Sequence, residues 1–98
     1  MTILTTATAA TTSGDRYIQQ LVRHWGHKFE TAYAEGVGTI AFGPDAALKL
    51  TSDHAAIHIA LTTSDAERAE RLRGVIEAHI DRFAFREAPL TYTWGPAA

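Results

Sequence analysis

The stretch His54-Ala55-Ala56-Ile57-His58-Ile59-Ala60-Leu61-Thr62 alternates in character residue by residue. In an extended chain Ala55, Ile57, Ile59 and Leu61 point one way, and His54, Ala56, His58, Ala60 and Thr62 point the other. One side is therefore covered and the other wetter, the habit of an antiparallel sheet packed on a single face. Ser64-Asp65-Ala66-Glu67 comes directly after it, an S-x-x-E capping box that opens a helix. Along that helix Leu72, Val75, Ile76 and Phe83 form an apolar stripe, and the expected end is near Ala84. A half-buried strand running into an amphipathic helix is one half of a two-layer α+β sandwich.

The rest of the chain supplies the other half. Residues 2–12 are rich in threonine and alanine and suit a strand lying close to a neighbouring backbone or at an edge. Ser13-Gly14-Asp15 opens a first helix, with Ser13 as N-cap, and Ile18, Leu21, Val22, Trp25 and Phe29 recur at helical spacing. That periodicity predicts a helix over 14–29. Strands are predicted at 29–34, 37–42 and 46–51, separated by the turn signals Glu35-Gly36, Gly43-Pro44-Asp45 and Ser52-Asp53. A last strand follows Pro89, with Leu90, Tyr92 and Trp94 on one face, and Gly95 to Ala98 reads as a loose tail. The order is β-α-β-β-β-β-α-β: an antiparallel sheet with both helices on one face, of TATA-box-binding-protein-like or helix-grip type. A ferredoxin-like sheet is the alternative, and it has too few strands.

Ninety-eight residues fit one domain. Apolar residues make up 46% and charged residues 20%, which argues against disorder. Nine basic against eleven acidic residues leave a net charge of -2, with no electrostatic footprint for nucleic acid or an anionic membrane. The absence of cysteine excludes disulfides, thiolate metal sites and thiol nucleophiles. Residues 1–14 carry no basic leader, and no run approaches the ~18 apolar residues of a membrane span, so a cytoplasmic protein is expected.

Five histidines stand out. His54 and His58 share the wetter strand face, roughly 13 Å apart, too far for one metal to bridge. His24 and His27 are three apart on the first helix, with Arg23 and Lys28 beside them to repel a cation. His79 falls within the apolar stripe of the second helix and is expected to face the sheet. There it is either a core histidine satisfied by the protein or a wall of a ligand cavity, with His24 and Tyr17 at the cavity's edge. Arg82 and Arg86, one turn apart, suit recognition of a carboxylate or phosphate, with Glu87 available to neutralise either. No phosphate loop, dinucleotide glycine pattern or nucleophile elbow occurs, so nothing supports an oxidoreductase or a hydrolase. If the chain were an enzyme, His79 would be its only candidate base.

The run Arg16-Tyr17-Ile18-x-x-Leu21-x-x-His24-x-x-His27-Lys28 resembles the first motif of the domain-of-unknown-function family 2218. The run His79-Ile80-x-Arg82-Phe83-Ala84-Phe85-Arg86-Glu87, with a closing Trp94, resembles its second. The resemblance spans about Ala7 to Trp94. It implies a small bacterial protein without an assigned activity, in a context of siderophore-interacting flavoproteins and hence of iron or siderophore handling. Carried over, the motif residues are Tyr17, His24, His27, Lys28, His79, Arg82, Phe83, Arg86, Glu87 and Trp94. The combined expectation is a non-enzymatic module that binds a small anionic or iron-containing ligand through His79, His24, Tyr17, Arg82 and Arg86. No cofactor or metal is specified. The competing expectation is an interaction domain whose open sheet face, with Thr39, Lys49, His54 and His58, pairs with a second copy or with a flavoprotein.

Overall fold

The computed structural model describes residues 2–95. Its elements are β1 (Ile3–Ala10), α1 (Gly14–Trp25), β2 (Glu30–Ala34), β3 (Val37–Gly43), β4 (Ala46–Ser52), β5 (Ala56–Thr63), α2 (Ala66–Phe83) and β6 (Tyr92–Trp94). The strands form one antiparallel sheet in the order β2-β3-β4-β5-β1-β6, with both helices on the same face. The α+β sandwich and its element order are those expected. Of the expected tail, the Gly95 N–H donates to the Thr6 carbonyl at 2.9 Å, and residues 96–98 lie outside the described residues.

Alternation puts Ile57, Ile59 and Leu61 of β5 under the helices beside Leu48 and Leu50 of β4 and Ile40 of β3. All six are buried, and each side chain of that size removed from water contributes about 1.5–3 kcal/mol. Along most of β1 this face carries Thr5, Ala7 and Ala9, all buried, and the low relief lets α2 approach the sheet. Gly38 does the same for α1, since a Cβ there would lie 2.6 Å from Ile18 Cγ2. The β2–β3 hairpin turns on Glu35 and Gly36, both at positive φ, as a two-residue type I′ turn requires.

Four local expectations are corrected. First, α1 ends at Trp25 rather than at residue 29. The backbone N–H groups of Lys28 and Phe29 both return to the Trp25 carbonyl, closing a turn. Phe29 matched the stripe because it stands four residues after Trp25. Second, the Ser13 side chain caps nothing; Ser13 N–H instead donates to Thr11 Oγ1. Third, the N-cap of α2 is Asp65, whose Oδ1 accepts from Arg68 N–H at 2.7 Å, while Ser64 Oγ donates to Asp45. Fourth, His54 lies in the bend before β5 instead of on the strand. The bend is held by Asp53 Oδ1, which accepts from the N–H groups of Ala55 and Ala56.

The face assignment of α2 also changes, and this relocates His79. The buried residues are Ala69, Ile76 and Ile80, which cluster within roughly 40° of one another at 3.6 residues per turn. Leu72, Phe83, His79 and Val75 lie along one flank, toward α1. Arg73, Glu77 and Asp81 lie along the other. There Arg73 stacks over Trp94, Trp94 Nε1–H donates to Glu77 at 2.6 Å, and Tyr92 O–H donates to Asp81 at 2.8 Å. His79 therefore faces the neighbouring helix rather than the sheet, and Val75 is 39% exposed.

Candidate functional site

The two helices run antiparallel, so that Tyr17 in the first half of α1 meets the segment after α2, and His24 near the end of α1 meets His79 and Phe83. Beyond Trp25 the chain turns at Gly26, where a Cβ would stand 3.0 Å from the Val22 carbonyl oxygen. This turn delivers His27, Lys28 and Phe29 to the mouth of a cleft. Its far wall is Leu72, Val75 and His79 of α2, and its floor is Trp25 and Phe42. The cleft encloses about 440 Å³. Gln20, Arg23 and Phe83 continue its margin on the other side of His24.

Aromatic rings dominate the interior. The His24 and His79 centroids are 5.4 Å apart, and Trp25 and His79 are 4.9 Å apart. Phe42 meets both Trp25 and Phe29 edge-on, at 5.2 and 5.1 Å. These separations fall in the attractive range for aromatic pairs. His79 Nδ1 lies 2.7 Å from the Val75 carbonyl oxygen, which can only accept, so Nδ1 carries the proton. In the neutral ring Nε2 then holds a free lone pair. Desolvation, followed by the charges of His79, Arg82 and His27, holds the His24 pKa below the ordinary histidine value. The two imidazoles offer nitrogen donors and acceptors to a ligand. Among the described residues no three His, Cys, Asp or Glu side chains gather as a metal site.

The sequence-predicted residues divide in three. His24 and His79 come together in the cleft, and Arg82 lies close enough to influence His24. Tyr17 stands at the opposite end of α1. It is buried, and its hydroxyl donates to Glu87, which also accepts from Thr11 at 2.9 Å. Burial and the Glu87 carboxylate together raise the Tyr17 pKa. Glu87 thus fastens the segment after α2 to the start of α1 and forms no ion pair with Arg82 or Arg86. Among the described residues Arg68 pairs with Asp45, and His58 Nε2 lies 2.8 Å from Asp53. Arg86 is exposed and lies over the Phe85 ring. Trp25, Phe29 and Phe42 were not anticipated as cleft residues. The first two read as core stripe and the third as strand face, and the turn at Gly26 brings Phe29 against Phe42.

The open sheet face carries a larger depression of about 560 Å³, floored by small residues such as Ala32, Thr39, Ala41, Ala47 and Ala60. Among the described residues Glu30 and Lys49 are its only charged lining side chains. His58 lies toward one end of this face, its Nε2 2.8 Å from Asp53 Oδ2. The depression has more room, but the titratable and aromatic groups converge in the cleft between the helices.

No helix among the described residues is long and apolar enough to cross a membrane. No curated protein sequence matches the chain. Among solved structures, the NMR structure of PA4090 from Pseudomonas aeruginosa is similar at a TM-score of 0.81 and 30% identity, covering 96% of each chain. The family model described as "Uncharacterized protein conserved in bacteria (DUF2218)" matches residues 6–95. Fold and sequence agree over nearly the whole length, and the chain belongs to the DUF2218 family.

Proposed function

We propose that this chain is a non-enzymatic binding module acting in iron or siderophore handling, and that the cleft between α1 and α2 holds a small anionic or iron-containing ligand. His24 and His79 contact the ligand, and Arg82 or Arg86 balances its charge. The observation that carries this reading is the meeting of His24 and His79 across the cleft, with no partner for His79 Nε2 among the described residues. Tyr17 has a fastening role instead, because its hydroxyl is already committed to Glu87.

The test combines elemental analysis, an absorbance scan, and titration with a ferric siderophore and with haem. The expected result is a spectral change, binding tighter than about 100 μM, and loss of both in His24→Ala and His79→Ala. Unchanged spectra with every ligand reject the reading.

A second reading, an interaction domain, is favoured by the open sheet face. The central outward positions Ala41, Ala47, Ala60 and Thr62 are small and uncharged, which is unusual for a surface left to water. This reading places a second copy of the chain, or a flavoprotein, against that face. Sedimentation velocity across a hundredfold concentration range tests the first case, and a constant monomer rejects it.

A further inference from the structure

We infer that the cleft between α1 and α2 takes a planar aromatic carboxylate, with its ring between the Trp25, Phe29 and Phe42 walls and its carboxylate toward Lys28 and Arg82. The inference rests on reading the cleft as a ligand site and adds the chemical class of the ligand.

Charge is the first argument. The whole chain is acidic by two charges, yet among the described residues no Asp or Glu lines the cleft or its margin. Lys28 and Arg23 do line them, and Arg82 stands on α2 three residues beyond His79, next to it on the helix surface. None of these three cations has a carboxylate within 4.0 Å among the described residues. A local excess of unneutralised cations in an acidic protein favours an anion. At the C-terminal end of α1 the carbonyls of Val22 and Trp25 already accept from Gly26, Lys28 and Phe29.

Shape and surface are the second argument. Leu72 and Val75 complete an apolar wall opposite the aromatic rings. A ring entering this space meets aromatic edges and faces, each pairing adding about 0.5–1.5 kcal/mol beyond area burial. A volume of 440 Å³ lies in the usual range for small-molecule sites and accommodates one or two fused rings. A simple inorganic anion leaves these walls unused, and an uncharged ring leaves the cations unused.

The test uses 2-naphthoate on the intact chain, followed by NMR at the His24 and His79 ring protons and the Trp25 indole N–H. Cyclohexanecarboxylate supplies the charge without the ring, and 2-naphthalenemethanol the ring without the charge. The expected result is perturbation of those three side chains with a Kd below about 1 mM, and binding of each comparator at least about fivefold weaker. Lys28→Glu and Arg82→Glu, both surface changes, are each expected to raise the naphthoate Kd by about fivefold or more. Comparators that bind equally well, perturbation confined to the open sheet face, or silence at about 5 mM overturn the inference. Binding of a ferric siderophore or haem without naphthoate binding keeps the cleft as a ligand site and rejects the aromatic carboxylate. Naphthoate binding without a ferric response keeps the aromatic carboxylate and rejects the iron context.

Discussion

Replacing Gly38 by alanine tests how closely α1 lies on the sheet, and hence what places His24. A Cβ at Gly38 would stand 2.6 Å from Ile18 Cγ2 and 3.0 Å from Val22 Cγ2. Carbon atoms pack best at about 3.5–4.0 Å, so the nearer contact is short by about 1 Å. Ile18 is fully buried and cannot swing aside, so α1 must lift or the strand must sink. Overpacking of this kind costs about 1–3 kcal/mol. Removing a glycine from a strand interior returns about 0.5–1 kcal/mol, which leaves a net loss of about 0–2.5 kcal/mol. The control is Gly74 on the exposed surface of α2, where a Cβ meets nothing within 4 Å. Gly74→Ala gains helix propensity of about 0.8–1 kcal/mol. Urea unfolding is expected to give opposite signs for the two variants. For a domain this size the Tm separation is about 4–8 °C per kcal/mol. A Gly38→Ala variant as stable as Gly74→Ala refutes the close approach of α1 to β3.

Three further outcomes are expected. Asp65→Ala loses the α2 cap and about 1 kcal/mol in urea unfolding, while Ser64→Ala loses much less, and the reverse ranking restores the S-x-x-E reading. Glu35→Asn stabilises the chain by a few tenths of a kcal/mol in the same assay, because asparagine tolerates the positive φ of 51° better than glutamate does. Hydrogen bonds from His58, then from the N–H groups of Ala55 and Ala56, hold the Asp53 pKa down to about 2. A depressed carboxylate contributes stability that is present above its unfolded value of 3.8 and is lost as pH falls through about 2. Carboxyl NMR titration is expected to move Asp53 upward in His58→Ala, and an unmoved midpoint rejects the pairing.

Much of the fold was legible because its signals are local. Ile57, Ile59 and Leu61 share a face by period-two alternation alone, and Glu35-Gly36 names its own turn. Errors arose where two geometries satisfy one pattern. Phe29 matches a continuing helix and equally a chain that folds back onto the Trp25 carbonyl, and only hydrogen bonding separates the two. The sheet-facing side of α2 was misplaced because its centre is marked by Ala69, too small to attract notice, and by Ile80. Counting Val75 in their place rotated the stripe toward His79. The cleft was less legible than the fold. His24 and His79 are 55 positions apart in sequence, and their meeting depends on how two helices lie on a sheet, a relation no local pattern encodes.

The position of the cleft follows from helix length. α1 has 12 residues and α2 has 18, a mismatch of six residues, or about 9 Å at 1.5 Å per residue. The helices are antiparallel with His24 beside His79, so the surplus lies at the N-terminal half of α2, where Leu72 and Val75 line the cleft. A sequence built only for stability would fill such a gap with aliphatic side chains packed to interior density. This one lines it with Trp25, Phe29 and Phe42, places two imidazoles between them, and leaves Lys28 at the mouth without a carboxylate. Aromatic rings hold an opening with few torsions to collapse it. The same six residues that α1 lacks therefore produce both the vacancy and its chemistry, and extending α1 by a turn and a half would abolish the two together.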